Sequence, residues 1–482
     1  MSAAEAVPPV LAVFARLFSK GWLERWQQQR RAAPPPAAAP EEKTAGAKRG
    51  FYERIFSLQV TLWYLIFQRL NFDRTLSAVT KDLRAGGADR LGPRGRKLSR
   101  RARSAKTAAY NQARQRLPLE LLQAALAHGA TTLLALVGVD PAPRYAPGPA
   151  WRTRQLLDGS TLGILKTPAL AKAFPPARNQ RGATHWCLMR IMVGFCAKSG
   201  AVLSACCGSV YQSEQAMAWG LMERAAAFTV WIGDRNFGVW SVVVQADRFH
   251  QDVLVRLSKR RAEKLTDGKP LVSGEDRPVT WKPTRHDQNA PGTKRIAVPG
   301  RLIYVRLKKQ DCEIDLWLFT TLPVEDYPVE LLVRWYGQRW QAELHFRSVK
   351  TQMQMAELDV CSPEMARKEF YAGLLAYNLV RTVMWAAGER LEEKLQVLSF
   401  SDARREVLSR LKDWGRRCAS GSGTTQRWVR LLIAEVARQT LPKRRKQRPS
   451  EIRRVRHRRQ KFPPLTGSRA AARARDFATK SL

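Results

Sequence analysis

The sequence predicts a multidomain protein in which a central α/β core carries a β-strand insertion. An N-terminal all-helical domain and a C-terminal helical, basic region flank this core. Three observations support the prediction. The 482 residues exceed what one hydrophobic core accommodates. Apolar strand-like and helix-like segments alternate between about 151 and 259, as in a mixed α/β sheet. The segments on either side lack this alternation.

The N-terminal part divides into two predicted regions. Residues 1–50 combine an amphipathic helix at 7–31 with an Ala/Pro-rich linker at 32–48. Residues 51–145 have apolar residues at helical spacing, and we interpret them as a helical DNA-binding domain, because such modules commonly enter a DNA groove. A role in packing or dimerisation stays open. The predicted helices of this region are 52–70, 75–84, 104–116 and 118–137.

The core is predicted in two parts separated by the insertion. Residues 146–259 form the first part, and residues 326–395 form the second. The turn-rich stretch 260–325 between them is predicted to be a β insertion, with strands at 279–282, 301–308 and 313–321. The second part contains one helix from about Pro328 to Met353 and an apolar helix over 363–388. Residues 396–482 complete the chain as a helical region and a basic tail.

Charge indicates a polyanionic partner. Lys and Arg number 83 and Asp and Glu 41, which gives a net charge of +42. Residues 443–482 hold 15 basic against 2 acidic residues, and residues 90–116 hold 10 against none, so +19 remains for the rest of the chain. The core is therefore basic itself, which favours nucleic acid over a membrane surface.

Other features argue against membrane insertion and structural zinc. No run of 18 apolar residues is present, so no transmembrane helix is predicted. The N-terminus lacks a secretory signal pattern. The seven cysteines form no CxxC pair, which is typical of free thiols in a reducing cytoplasm.

The most specific pattern lies in the helix predicted from Pro328. At about 100° per residue, Arg339, Glu343 and Lys350 fall at roughly 300°, 340° and 320° from Tyr336, within one arc of roughly 60°. A carboxylate can hold a metal ion, and a phenol, a guanidinium and an ammonium can hold phosphates. A solvated charged face is the alternative interpretation. Trp335, Trp340 and Phe346 on other sides of the helix argue against it.

Two aspartates accompany this helix. Asp158 and Asp234 each end an apolar strand-like segment and each have a neighbouring glycine. Either one alone is most often a turn residue. Together with Glu343 they supply three carboxylates, which can hold two Mg²⁺ ions.

These residues resemble the three motifs of the DDE transposases, and more narrowly the bacterial insertion-sequence group with a Tyr-Arg-Glu-Lys signature. The matching segments are Asp158-Gly159-Ser160, Gly233-Asp234-Arg235-Asn236-Phe237 and Tyr336-x2-Arg339-x3-Glu343-x6-Lys350. The resemblance implies an RNase H-like core that excises DNA and joins the 3′-hydroxyl ends to a target, commonly through hairpin ends.

The resemblance also implies the cofactor, the partners and the residue roles. Asp158, Asp234 and Glu343 would hold two Mg²⁺ ions per active site, which Mn²⁺ can replace. Tyr336, Arg339 and Lys350 would contact phosphates. The partners would be double-stranded transposon ends and target DNA, bound by a homodimer in the bacterial cytoplasm at the nucleoid. Trp281 is a candidate for stacking on a flipped base, with a core position as the alternative, and Arg235 is a further candidate DNA contact.

Two other functions remain open on sequence alone. A domesticated descendant would bind DNA without cutting it, and the presence of all three carboxylates argues against that. A related RNase H-like nuclease would cut without strand transfer, and the Tyr-Arg-Glu-Lys face argues against that.

Overall fold

The computed structural model describes most of the chain between residues 19 and 441. The described ranges are 19–32, 55–92, 97–136, 152–179, 182–184, 186–287, 292–309, 312–391, 397–416 and 422–441, with residues 468, 470 and 471. Most of the predicted linker 32–48 and of the basic tail 443–482 therefore lies outside the described residues. So does the first part of the predicted helix 7–31.

The N-terminal region is helical, as predicted. Its helices are α1 (Lys20–Ala32), α2 (Leu58–Leu70), α3 (Leu76–Arg84), α4 (Leu98–Arg101), α5 (Ala108–Arg116) and α6 (Leu119–Leu136). Ser57 caps α2, because its hydroxyl accepts a hydrogen bond from the Val60 N–H at 3.3 Å. Every residue of α2 is buried, so this helix lies inside the molecule rather than on its surface.

The centre of the protein is a mixed β-sheet. Its strands are β1 (Arg154–Ile164), β4 (Cys187–Cys196), β5 (Val202–Ser209), β6 (Val230–Gly233), β7 (Asp252–Arg256), β8 (Asp276–Trp281), β9 (Val298–Lys309), β10 (Cys312–Thr320) and β11 (Glu357–Leu358). The short strands β2 (Arg178–Asn179) and β3 (Gly182–Ala183) form a separate hairpin. The order in the large sheet is β5-β4-β1-β6-β7-β10-β9-β8, and β11 pairs with β1.

Asp158 lies within a strand rather than at its end, which corrects the prediction. β1 continues to Ile164 because it pairs antiparallel with β4 over ten residues, including Asp158 with Val193. The parallel pairing of β1 with β6 ends earlier, at Leu156 and Ile232. Asp158 therefore follows the last β1–β6 pair, where the edge of β1 opens toward the turn after β6.

The β insertion extends the central sheet. β10 pairs antiparallel with β7 of the core, and β9 and β8 follow it outward. The prediction of strands between 260 and 325 is confirmed, but these strands do not form a separate sheet. The Thr320 backbone pairs with Leu254, which makes the insertion continuous with the core.

Helices cover both faces of the sheet. They are α7 (Pro168–Ala173), α8 (Glu214–Met222), α9 (Trp240–Arg248), α10 (Lys259–Leu265), α11 (Val329–Gly337), α12 (Gln341–Arg347), α13 (Pro363–Leu391), α14 (Phe400–Arg416) and α15 (Ser422–Arg438). One hydrophobic core lies on the face of the sheet to which the Leu156 side chain points. The N-terminal helices, α13, α14 and α15 pack there. The other core contains α8 and α9 on the opposite face, where Leu157 points.

The helix predicted from Pro328 to Met353 is interrupted. A 3₁₀ turn (Gln338–Trp340) separates α11 from α12, and a π-helical turn (Ser348–Gln352) follows α12. Such π turns are frequent at functional sites, and this one carries Lys350. Within the described residues no helix is long and apolar enough to cross a membrane.

Candidate active site

Asp158 within β1 and Asp234 directly after β6 occupy equivalent positions relative to the pairing of these two parallel strands. Leu156 pairs with Ile232, and each aspartate lies two residues further along its chain. Adjacent strands lie about 4.8 Å apart, so both aspartates follow closely on a pair of neighbouring backbone positions. β6 ends at Gly233, and the Asn236 N–H then donates to the Asp234 carboxylate at 2.9 Å, which shapes the turn after the strand.

The electrostatics of Asp158 reflect this proximity. Burial raises its pKa to about 6, and the negative charges of Asp234 and Glu214 act in the same direction. The Gly159 N–H, which donates to the carboxylate at 2.8 Å, and the Arg339 guanidinium partly oppose the rise. Two partly buried carboxylates side by side repel each other, and a bound cation would stabilise their charged forms.

The consecutive helical turns from Val329 to Gln352, which we call the signature helix, face these aspartates with their polar residues. Arg339 donates to Glu343 at 3.3 Å across one helical turn. Burial raises the pKa of Tyr336, and the charge of Asp234 adds to the rise, while Arg339 and Arg256 oppose it. The structure therefore brings Tyr336 and Arg339 to the two aspartates. Glu343 lies on the same helix, and its carboxylate accepts the hydrogen bond from Arg339.

Lys350 reaches the same strand as Asp158. Its Nζ donates to the Ser160 hydroxyl at 3.2 Å, and Ser160 lies two residues after Asp158 on the same face of β1. Burial lowers the pKa of Lys350. The four residues of the predicted signature and the two aspartates thus surround one end of the β1–β6 pair.

The π turn that carries Lys350 is held from outside the sheet. The buried guanidinium of Arg404 on α14 donates to the Gln352 carbonyl, and also to the carbonyls of Leu70 at 2.9 Å and Asn71 at 3.1 Å. Arg74 donates to the Gln354 carbonyl at 2.5 Å. Sequence reasoning missed both arginines, because nothing in the local pattern around them indicates their acceptors.

The carboxylates fit a divalent cation in part. Asp158 and Asp234 offer oxygen ligands of the kind that Mg²⁺ prefers. However, within the described part of the chain no three His, Cys, Asp or Glu side chains are grouped closely enough to hold a metal ion. Glu343 is directed to Arg339 instead, and it must leave that partner to complete a triad.

A fourth carboxylate, which the sequence did not indicate, lies beside Asp158. Glu214 begins α8, where an acidic residue is ordinarily favoured by the helix dipole. The Asn236 amide donates to it at 2.7 Å. A Cβ on Gly159 would lie 2.7 Å from Glu214 Oε1, so only glycine lets this carboxylate approach the backbone there.

Trp281 and Arg235, the two further candidates for DNA contact, differ in their exposure to solvent. Trp281 is 5% exposed and packs edge-on against Phe319 at 4.8 Å, so its proposed stacking on a flipped base is corrected to a core role. Trp317 is partly buried, packs against the same core and stacks on Tyr304 at 5.4 Å. Arg235 is exposed in the turn beside Asp234, where a DNA strand can reach it.

Comparison with known proteins defines the class of this site. Residues 152–379 match the family described as the transposase DDE domain. This segment begins just before β1 and ends within α13, so it contains Asp158, Asp234 and the whole signature helix. The segment is therefore similar to a transposase DDE domain.

Individual relatives agree with this class. Over 322 residues the chain is 27% identical to transposase InsG for insertion sequence element IS4 of Escherichia coli K12, covering 61% of this chain and 65% of InsG. The match thus spans less than two thirds of InsG. A 67-residue stretch is 34% identical to the transposase for insertion sequence element IS421 of Escherichia coli, covering 14% of this chain and 18% of that protein.

A solved structure is also similar over most of the chain. It is the piggyBac transposase synaptic complex with hairpin DNA, with 10% identity and a TM-score of 0.41, covering 92% of this chain and 87% of that one. A similarity at this level establishes neither a shared fold nor a shared substrate.

Proposed function

We propose that this protein is a DNA transposase that binds the ends of an insertion sequence, cleaves them and joins the 3′-hydroxyl ends to target DNA. One observation carries the proposal. Asp158 and Asp234 each lie two residues beyond the last pair of the parallel strands β1 and β6, and the positive charge of Arg339 on the signature helix opposes the rise in the pKa of Asp158. Acidic groups and phosphate-binding cations thus meet at one edge of the sheet, within the segment that matches the transposase DDE domain.

In this proposal the cations hold the DNA strand. Arg339 offers a planar guanidinium suited to bidentate contact with a phosphate, and Lys350 offers an ammonium. Tyr336, whose raised pKa keeps the phenol protonated, donates a hydrogen bond to a phosphate oxygen. Arg235 extends the contact from the turn after β6. Release of Glu343 by Arg339 frees the guanidinium for the phosphate and the carboxylate for metal.

Asp158, Asp234 and Glu343 would hold the Mg²⁺ ions, for which Mn²⁺ can substitute. When bound, two such ions activate the attacking oxygen and stabilise the leaving oxygen of a phosphoryl transfer. The chain itself positions the carboxylates on two strands and one helix. Partial burial of Asp158 and Asp234 limits the water around these two carboxylates, which strengthens their interaction with a cation.

The wider assembly is proposed on the same basis. The order β5-β4-β1-β6-β7, antiparallel and then parallel, supports an RNase H-like core. The helical region 51–145 would bind DNA, and the basic stretch Lys97–Lys106 lies within it. We further propose a homodimer that pairs two ends, hairpin ends as intermediates, and a cytoplasmic location at the nucleoid.

A strand-transfer assay tests the function. Labelled duplexes that carry the element's own ends are incubated with the protein, Mg²⁺ and a supercoiled plasmid, and the products are resolved on a denaturing gel. The proposal predicts cleavage at the boundary and covalent joining to the plasmid. A fold-back product would support hairpin ends.

The alternatives give other products in this assay. Cleavage without joining would favour an RNase H-like nuclease. Binding of both ends without cleavage, with either Mg²⁺ or Mn²⁺, would favour a domesticated DNA-binding protein.

A further inference from the structure

A basic cleft of about 970 Å³ lies between the signature helix and α13 and α14. None of the candidate carboxylates lines it. The signature helix contributes Arg334, Gln338, Gln341 and His345, which fall at roughly 160°, 200°, 140° and 180° from Tyr336 at about 100° per residue. It also contributes Trp340, Leu344 and Arg347, which fall at roughly 40°, 80° and 20°, whereas Arg339 and Glu343 fall near 300° and 340°. The cleft thus borders a wide part of this helix, from the side opposite the candidate active site to a position beside Glu343.

The charge of the cleft has one sign. Its described lining includes five cations and neither Asp nor Glu, the cations being Arg154, Lys198, Arg334, Arg347 and Arg381. Neutral groups orient two of them. Arg381 donates to the Ser199 carbonyl at 2.9 Å, and Arg154 lies 4.4 Å from the centre of the Trp335 ring. Fixed guanidinium groups without acidic neighbours in the lining form a site for an anion with several charges.

The position of the cleft along the chain adds to this charge. Leu441 lines it, and in the sequence the basic stretch 443–461 begins two residues later. Because the charged residues of the described lining are cations, a polyanion is a better occupant of the cleft than a basic peptide.

We propose that this cleft binds the sugar-phosphate backbone of a single DNA strand. The inference rests on the proposed function for the identity of the polyanion. The volume lies in the range of small-ligand sites, whereas a duplex needs a far wider channel. The strand would pass along the signature helix, beside the position proposed for the cleaved phosphate. The same helix would then contact DNA at the cleft and at the candidate active site.

The test uses two charge-reversal variants with the same change in net charge. Arg334→Glu with Arg347→Glu alters two exposed cations of the cleft, and Arg260→Glu with Lys264→Glu alters two exposed cations on α10. Fluorescence anisotropy with a labelled oligothymidine in EDTA reports binding without cleavage. We expect the cleft variant to bind about tenfold more weakly, with the salt slope reduced by about 1.4 for two lost contacts. The α10 variant should stay within about twofold of wild type.

Three results would overturn the inference. Equally weakened oligothymidine binding by both variants would indicate a general effect of net charge. Unchanged oligothymidine binding by the cleft variant would show that the cleft does not hold the strand. Weakened binding of a duplex but unchanged binding of the oligothymidine would contradict a single strand. Arg334→Gln with Arg347→Gln repeats the test with a smaller perturbation. Metal-dependent cleavage of element ends is measured separately, so failure of the transposase proposal is distinguishable from failure of the cleft.

Discussion

Arg339 Nη2 lies 3.3 Å from Glu343 Oε1, so a residue expected to hold phosphate is paired with one expected to hold metal. The Arg339 side chain is 18% exposed and that of Glu343 is 42% exposed. An ion pair with that much solvent contributes little to stability, on the order of 0–1 kcal/mol. The pair can therefore separate at low cost when DNA and metal ions are present.

The first prediction concerns this pair. Glu343→Gln should leave the affinity for end DNA within about twofold, because the amide still fits beside Arg339, while cleavage falls by more than about 100-fold. Arg339→Ala should keep Mn²⁺ binding at least as tight as in wild type, because Glu343 loses a competing partner. Isothermal titration with Mn²⁺ and gel-based cleavage assays measure both effects. Loss of Mn²⁺ binding in Arg339→Ala would contradict the assigned roles.

The second prediction concerns pH. Asp158 has a pKa of about 6 in the folded protein against 3.8 for the unperturbed group. Between those values the folded state binds more protons, so the free energy of unfolding falls as pH rises from about 4 to about 6 and stays lower above that. In EDTA at pH 7.5, Asp158→Asn should be more stable than wild type by on the order of 1–2 kcal/mol.

Urea denaturation at several pH values checks this, and the difference should vanish below about pH 4. Mn²⁺ should stabilise the wild type and not the variant. A variant that is less stable than wild type at pH 7.5 in EDTA would contradict a charged carboxylate that is destabilised by burial at position 158.

The third prediction concerns the glycine beside Asp158. Gly159→Ala should slow cleavage and weaken Mn²⁺ binding, because the new Cβ would lie 2.7 Å from Glu214 Oε1 and 3.2 Å from the Met192 methyl carbon. Gly163→Ala on the same strand is the control, since its nearest neighbour would lie at an ordinary 3.4 Å. Equal activities of the two variants would show that Glu214 does not need its place beside Asp158.

The fourth prediction concerns Arg404. Arg404→Met removes the guanidinium donor from the buried carbonyl of Leu70 and the partly buried carbonyls of Asn71 and Gln352, which should cost on the order of 2–4 kcal/mol. Arg405→Met is the control, because Arg405 is an exposed neighbour that pairs only with Asp402 among the described residues, and it should change stability by less than about 0.5 kcal/mol. Urea midpoints at constant m-value measure both. A midpoint for Arg404→Met equal to that of the control would contradict a role in holding the π turn.

The residues of the candidate site could be predicted from the sequence better than the contacts between them. Tyr336, Arg339, Glu343 and Lys350 were found because helical periodicity places them on one face. Asp158 was predicted at a strand end because its turn-like Asp-Gly neighbours hide the long pairing with β4. Trp281 was a candidate for stacking on a flipped base with a core position as the alternative, and the sequence could not decide between them because its burial depends on Phe319, which is distant in sequence. Glu214 and Arg404 reach the site only through tertiary contacts, so no local pattern indicated them.

The most direct test of the account is metal-dependent cleavage by an aspartate variant with a matched control. Asp234→Asn removes a proposed metal ligand, and Asp247→Asn changes an exposed aspartate on α9 in the same way. Both are incubated with labelled element ends and Mg²⁺ or Mn²⁺, and cleavage is followed over time. We expect wild-type cleavage for Asp247→Asn and none for Asp234→Asn, with DNA binding retained by both. Undiminished cleavage by Asp234→Asn would contradict it.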